Sequence, residues 1–416
     1  MLHQQWLAGL RRRPLQNANK LDSAAGQTRS VFSTHWLVWL VCLTIIVAHT
    51  GWGAARAYPF VDDINPIKDW GDDWLTYKEN ALSIVQGGLL MPRVSGAYAF
   101  PIPGGFLYNY FVAAVFALAG PNPAYVYVVQ GALLGLGSAV MTLAVASSLP
   151  LALRVAYALT LGVYMGIDTF HLTRQLLSEN LSLLLLPVGV ALALRLRDRP
   201  APGYWAGAGA VWGLAALARP ETIPLGPALA LLTAGAARSR RLAGPLAAFL
   251  LAFALVFSFW PLRNLLVTER LDTSVGAITS YVGTALKPPS DAESGGPDLG
   301  AIWRYYSASV LYVMGIPQFI DPVYRVRPHW WLMWGLFAVA VGAMVVRRRI
   351  VFSDLVILAV VVLYLGPLLL GAHVYSYGYR SVAPAVPFVL LFSFKGLEVL
   401  LQRYRRAQPQ RAPAGS

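Results

Sequence analysis

Ten apolar segments, most of them close to the ~20 residues a membrane-crossing helix needs, alternate along the chain with short polar or basic links. They run over 34–55, 124–147, 151–167, 174–195, 204–219, 222–236, 243–264, 329–346, 350–371 and 380–401. An eleventh run, 106–119, falls short of that length and is read as a re-entrant or surface helix. The alternative is a further crossing, with residues 120–123 in the cytoplasm. This pattern predicts an all-α polytopic membrane protein of about ten transmembrane helices, with extracytoplasmic amphipathic and re-entrant helices between them.

One polar stretch, Trp70–Gly88, has a different period. On a helical wheel Trp74, Tyr77, Ala81, Ile84 and Val85 share one face, and Thr76, Glu79, Asn80, Ser83 and Gln86 the other. The stretch is expected to be an amphipathic helix on the membrane surface, opened by Asp72 and Asp73 and stopped by Gly87 and Gly88.

Composition agrees with a membrane protein: 57% of the 416 residues are hydrophobic and 12% charged, where soluble domains carry about a quarter charged residues. The excess of basic residues sits in clusters between apolar segments, as the positive-inside rule expects of cytoplasmic loops, so it reports topology and excludes nucleic acid as a partner. With ten spans, 20 of the 33 Lys and Arg but 4 of the 19 Asp and Glu fall on the cytoplasmic side. Most of the acid is therefore expected outside. The layout predicts a basic cytoplasmic tail over 1–33, a transmembrane domain over 34–402 with extracytoplasmic loops at 56–123 and 265–328, and a second tail over 403–416. Both tails are expected to be at least partly disordered. The first span follows Arg11, Arg12 and Arg13 and is too long for a signal-peptide core, so it is expected to stay uncleaved. The single cysteine, Cys42, lies within it as a buried thiol.

No metal-ligand spacing, phosphate-cradling loop or nucleophile elbow is present. Ionisable residues instead gather at span ends assigned to the outer side, costly positions unless they are paired or functional. They are Asp72 and Asp73; Asp168, His171 and Arg174; Glu179; Arg219 and Glu221; Arg263; and His373, Tyr377 and Arg380. One aspartate of the first pair, Asp72, suits a helix cap. Asp73, four residues before Tyr77, suits a general base for an acceptor hydroxyl. Glu179 reads either as a salt-bridged helix entry with Arg174 or as a second acidic residue orienting an acceptor. Arg219 and Glu221 flank a proline break and could merely cap it. Arg219, Arg263, Arg380 and Arg174 could also hold a phosphate, which guanidinium grips as a fork. His373 and Tyr377 read as interfacial anchors facing the same cavity.

Three motifs resemble the C-type glycosyltransferases (GT-C fold), in particular the protein-mannosyltransferase and aminoarabinose-transferase superfamily. They are Asp73-x-x-x-Tyr77-x-x-x-Ala81 ending at Gly87; the turn Gly213-Leu-x-x-Leu-x-Arg219-Pro220; and the entry Tyr377-x-Tyr379-Arg380-x-x-x-Pro384-x-x-Pro387. The resemblance implies inverting transfer from a polyprenyl-phosphate sugar donor to a glycan, lipid or protein acceptor, outside a bacterial inner membrane. It matches Asp73 to the family's catalytic aspartate and Glu179 to a second acidic position. Some relatives use a divalent metal and others none, and no carboxylate spacing here decides between them. Two other readings stay open. A secondary transporter or lipid flippase would carry midplane polar residues and an inverted repeat. An O-antigen polymerase or ligase would rely on arginines of the 265–328 loop.

Overall fold

Among the described residues the apolar segments are predominantly helical. A computed structural model of the chain describes residues 18–57, 73–87, 106–167, 176, 178–236, 242–268, 328–347, 351–371 and 382–407, and among them it has thirteen α-helices and no strand. In chain order they are α1 (Ala18–Ala57), α2 (Asp73–Gly87), α3 (Phe106–Ala119), α4 (Pro123–Val140), α5 (Leu151–Ile167), α6 (Glu179–Leu196) and α7 (Pro202–Ala218). Next come α8 (Leu225–Ala236), α9 (Ala243–Phe257), α10 (Phe259–Thr268), α11 (Pro328–Arg347), α12 (Phe352–Gly371) and α13 (Val386–Ala407).

Among the described residues five stretches are long and apolar enough to cross a membrane: Trp36–Ala55, Pro123–Ser148, Glu179–Leu196, Ala243–Leu266 and Ala383–Arg406. Helix α3 matches the short run expected at 106–119, and at a rise of 1.5 Å per residue it is roughly 21 Å long, less than the ~30 Å hydrocarbon core. Trp36, Trp39 and Leu43 on α1 and Leu251 and Leu255 on α9 point away from the protein. Such faces suit acyl chains, because lipid takes up apolar surface that water would not.

Proline and glycine set the helix limits. Gly120, at φ 98°, turns the chain out of α3. Asn122 Oδ1 then accepts from the Ala124 amide at 2.8 Å, with Pro123 at the first helical position of α4. At its far end α4 widens into a π turn, Met141–Val145, and tightens into a 3-10 turn, Ala146–Ser148, before Pro150. Pro220 bars Arg219 from helical torsions and leaves it extended at φ −147°, ψ 122°, which ends α7.

Several limits differ from the sequence reading. The segment 243–264 is two helices, α9 and α10, because Pro261 has no amide to offer the carbonyl of Phe257. Within the segment 174–195 the described helix opens at Glu179, and Arg174 lies outside the described residues. Helix α1 reaches back to Ala18, through part of the expected tail, since no proline interrupts residues 18–57. Helix α13 continues to Ala407, with Arg405 and Arg406 in its last turn, where cations offset the terminal carbonyl dipoles.

Close helix contacts are built on glycine. A Cβ at Gly135 would lie 2.6 Å from Ile46 Cα, and one at Gly53 would lie 2.8 Å from the Tyr127 carbonyl oxygen; Gly131 abuts the His49 carbonyl. These contacts run in opposite order along α1 and α4, which makes the pair antiparallel. Helices α7 and α9 are parallel, with Gly209 against the Phe249 carbonyl and Gly213 against Val256. Helices α11 and α13 are also parallel, with Gly396 on the Leu336 carbonyl and Ser393 Oγ donating to the Met333 carbonyl at 2.7 Å. Small residues at such crossings let backbones touch, which drives association where lipid competes equally for apolar side chains. The fully buried Trp212 of α7 fits between Gly189 of α6 and Gly226 of α8.

The two ends of the bundle differ. At one end the starts of α4 and α6 (Val126, Tyr127, Leu181), the last residue of α7 (Ala218) and helices α2 and α3 share one apolar cluster. At the other lie the basic residues Arg195, Arg197 and Arg199 that follow α6.

Candidate functional site

The break after α7 brings three charges together at the first of these ends. With Pro220 closing the helix, residues Pro220–Thr222 form a 3-10 turn, and the Thr222 hydroxyl donates to the Arg219 carbonyl at 2.8 Å. The turn folds Glu221 back on Arg219: Nη2 donates to Oε1 at 2.7 Å and Nε to Oε2 at 3.2 Å, a bidentate fork. Nη1 meets Glu179 Oε1 at 2.5 Å, from the first residue of α6. The side chains of Arg219 and Glu179 are 9% and 3% exposed, while Glu221 keeps 21% and forms the open edge. The buried Tyr364 of α12 lies within electrostatic reach of all three.

Chemically this is one guanidinium between two carboxylates. All three nitrogen positions of Arg219 are engaged with carboxylate oxygen, so an arriving phosphate would meet acid before cation. What the arrangement does is fix Glu179 and Glu221 in place.

Arg263 stands apart from this group, on α10. It is 5% exposed, Nη1 donates to Asn264 Oδ1 at 2.9 Å, and among the described residues Nε has no hydrogen-bond partner. The indole N–H of the buried Trp260, one turn earlier, also has none. Trp260 stacks on Phe106 of α3, ring centroids 5.8 Å apart, and Tyr110 of α3 lies within electrostatic reach of Arg263. Two buried donors with unused capacity therefore lie where α10 meets the start of α3, an arrangement that can receive an anion.

Helix α2 begins at Asp73, whose side chain lies outside the described residues. Its buried stripe differs from the expected one: Ala81 and Ile84 are buried and Tyr77 is half-buried, but Asn80 is 7% exposed and Val85 45%. The reason is a polar partner. Asn80 Nδ2 donates to Asn109 Oδ1 of α3 at 3.2 Å, so α2 turns its Asn toward α3 and Val85 away. Tyr77 meets Tyr108 of α3 edge-on at 4.8 Å, and Gln130 Nε2 of α4 donates to the Tyr108 hydroxyl at 2.5 Å. A polar layer thus ties the Asp73 helix to α3 and α4. Asn109, Gln130 and Tyr364 are not among the sequence candidates; for the first two the available signal is an amide side chain inside an apolar run.

Asp72, Arg174, His373, Tyr377 and Arg380 lie outside the described residues. Among the described residues no three of His, Cys, Asp and Glu stand together as a metal site. No protein-family model matches the chain, and no curated protein matches it.

Proposed function

We propose that this protein is a lipid-linked sugar transferase of the cell envelope, of the C type, with about ten spans and its site on the outer face of a bacterial inner membrane. Asp73 takes the proton of an acceptor hydroxyl; that oxygen attacks the anomeric carbon of the donor, the bond from this carbon to the phosphate oxygen breaks, and polyprenyl phosphate leaves. Arg263 and the Trp260 indole N–H neutralise the departing phosphate. Arg219 holds Glu179 and Glu221 fixed, with Glu179 as the second acidic group that orients the acceptor.

The observation that supports this reading is that α2, opening at Asp73, is tied through α3 both to the donor-rich corner at Arg263 and, through one shared apolar cluster, to the helix ends carrying Glu179 and Arg219. The three motif residues Asp73, Tyr77 and Ala81 lie on the helix so anchored. Incubating the purified protein with a panel of polyprenyl-phosphate sugars, and looking for donor hydrolysis or glycosidic product, tests it. Product formation lost in Asp73→Asn is the expected result. Counterflow across vesicles with no new glycosidic bond would instead make the protein a transporter.

A further inference from the structure

At the basic end of the bundle one arginine differs from its neighbours. Arg154, in the first turn of α5, is only 9% exposed. Its Nε is enclosed without a hydrogen-bond partner, and among the described residues its guanidinium has neither a hydrogen bond nor an ion pair. Other cations of this end are served differently. Arg197 and Arg199 are exposed and lie over the rings of Phe352 and Tyr204 at 5.4 and 5.5 Å, and Lys395 pairs with Asp354.

Among the described residues, the surroundings of Arg154 offer no counter-charge. Val38 and Cys42 of α1, Ala139 of α4 and Leu143 form an apolar cluster with Leu151 and Val155, its neighbours on α5. Its charge reaches the Cys42 thiol, which shares a hydrogen bond with Thr142. A guanidinium taken largely out of water without an anion is disfavoured, so one whose Nε is enclosed and unpartnered is suited to an anionic ligand.

Three further features point to what that ligand is. Arg154 belongs to a helix N-terminus, where first-turn amides have no intrahelical acceptor and favour an anion. The exposed Ser147 and Ser148 precede it on the loop formed as α4 loosens into its π and 3-10 turns. The end itself is basic, the side that in a membrane faces the anionic cytoplasmic leaflet.

We infer that Arg154, with the first turn of α5 and the Ser147–Ser148 loop, binds the phosphodiester headgroup of an anionic phospholipid from the cytoplasmic leaflet. The inference is independent of the transferase reading and concerns the opposite end of the bundle.

Native mass spectrometry of the full chain, released from micelles doped with phosphatidylglycerol or with phosphatidylcholine of the same acyl length, tests it. The wild type should keep phosphatidylglycerol under activation that strips phosphatidylcholine. Arg154→Gln should weaken that retention roughly tenfold or more, as loss of charge-assisted hydrogen bonds does. Arg154→Lys should fall between them, and Arg195→Gln should match the wild type. Equal retention of the two lipids by the wild type overturns the site, even should Arg154→Gln fail to fold. Unchanged phosphatidylglycerol retention in Arg154→Gln overturns it as well. A third arm adds inorganic phosphate to phosphatidylcholine micelles and follows the thermal midpoint. A rise equal to that given by phosphatidylglycerol would make the ligand free phosphate and sink the lipid assignment.

Discussion

Arg219 closes α7 and Glu179 opens α6, and one ion pair of 2.5 Å joins these helix ends although sequence spacing gives no hint of the contact. Since Arg219 also holds Glu221, the partners are not equivalent. Arg219→Gln leaves two carboxylates facing each other in a poorly solvated place, whereas Glu179→Gln leaves the guanidinium still paired with Glu221. Removing one partner of a buried pair so that its charge is left uncompensated costs about 3–5 kcal/mol, and only loss of the shared Arg219 does that here. The unfolding midpoint in detergent should therefore fall most for Arg219→Gln and distinctly less for Glu179→Gln. An equal fall would contradict the three-body arrangement.

The proposed base gives the sharpest kinetic expectation. Asp73→Asn should lower transfer by ~100 to 10,000-fold, the usual cost of a lost general base. Elution on size exclusion and donor binding should stay near wild type, because the anchoring of α2 rests on Asn80 and Tyr77 rather than on its first residue. Near wild-type turnover would remove Asp73 from the mechanism.

Of the two arginines, Arg263 is the better candidate for the proposed phosphate contact, since among the described residues its Nε has no partner while Arg219 is fully engaged. Arg263→Gln should reduce kcat/KM for a polyprenyl-phosphate donor by roughly tenfold or more, with Arg263→Lys recovering part of it. Donor titrations that move with Arg219→Gln but not with Arg263→Gln would reverse the assignment.

Helix pairing can be tested with one methyl group. A Cβ at Gly209 would enter the Phe249 carbonyl, whereas one at Gly207, two residues away on the same helix, meets nothing within 4 Å. Gly209→Ala should cost about 1–3 kcal/mol through overpacking. Gly207→Ala should be neutral or up to ~1 kcal/mol stabilising, from helix propensity. Thermal midpoints measured side by side separate the two, and equal shifts would mean that α7 and α9 do not meet at Gly209.

Helix positions were largely legible because apolar runs and prolines are local signals. Segments 106–119 and 151–167 have the same limits in sequence and structure, and Pro123, Pro202 and Pro220 sit at the breaks they imply. What local signals do not carry is partnership across the bundle. Glu179, Arg219 and Glu221 were each marked as candidates, but periodicity relates residues only along one helix and could not say that the first two meet. Asn80 was assigned to the wrong face of α2 for the same reason: its partner, Asn109, lies on another helix. Arg154 is, by sequence, one of the 20 basic residues placed on the cytoplasmic side, and only its burial without a counter-ion among the described residues gives it a role of its own.

The glycine crossings bear on where the bundle can open to a lipid-linked donor of the kind proposed. Where a carbonyl rests against a neighbour's glycine, as between α1 and α4, α7 and α9, and α11 and α13, swinging one helix away would strip backbone contacts along the whole seam. Each couple therefore behaves as a single plank. If the donor is prenyl-linked, as proposed, its tail would enter at the joints between planks, and cross-linking two helices of one couple should leave transfer unimpaired.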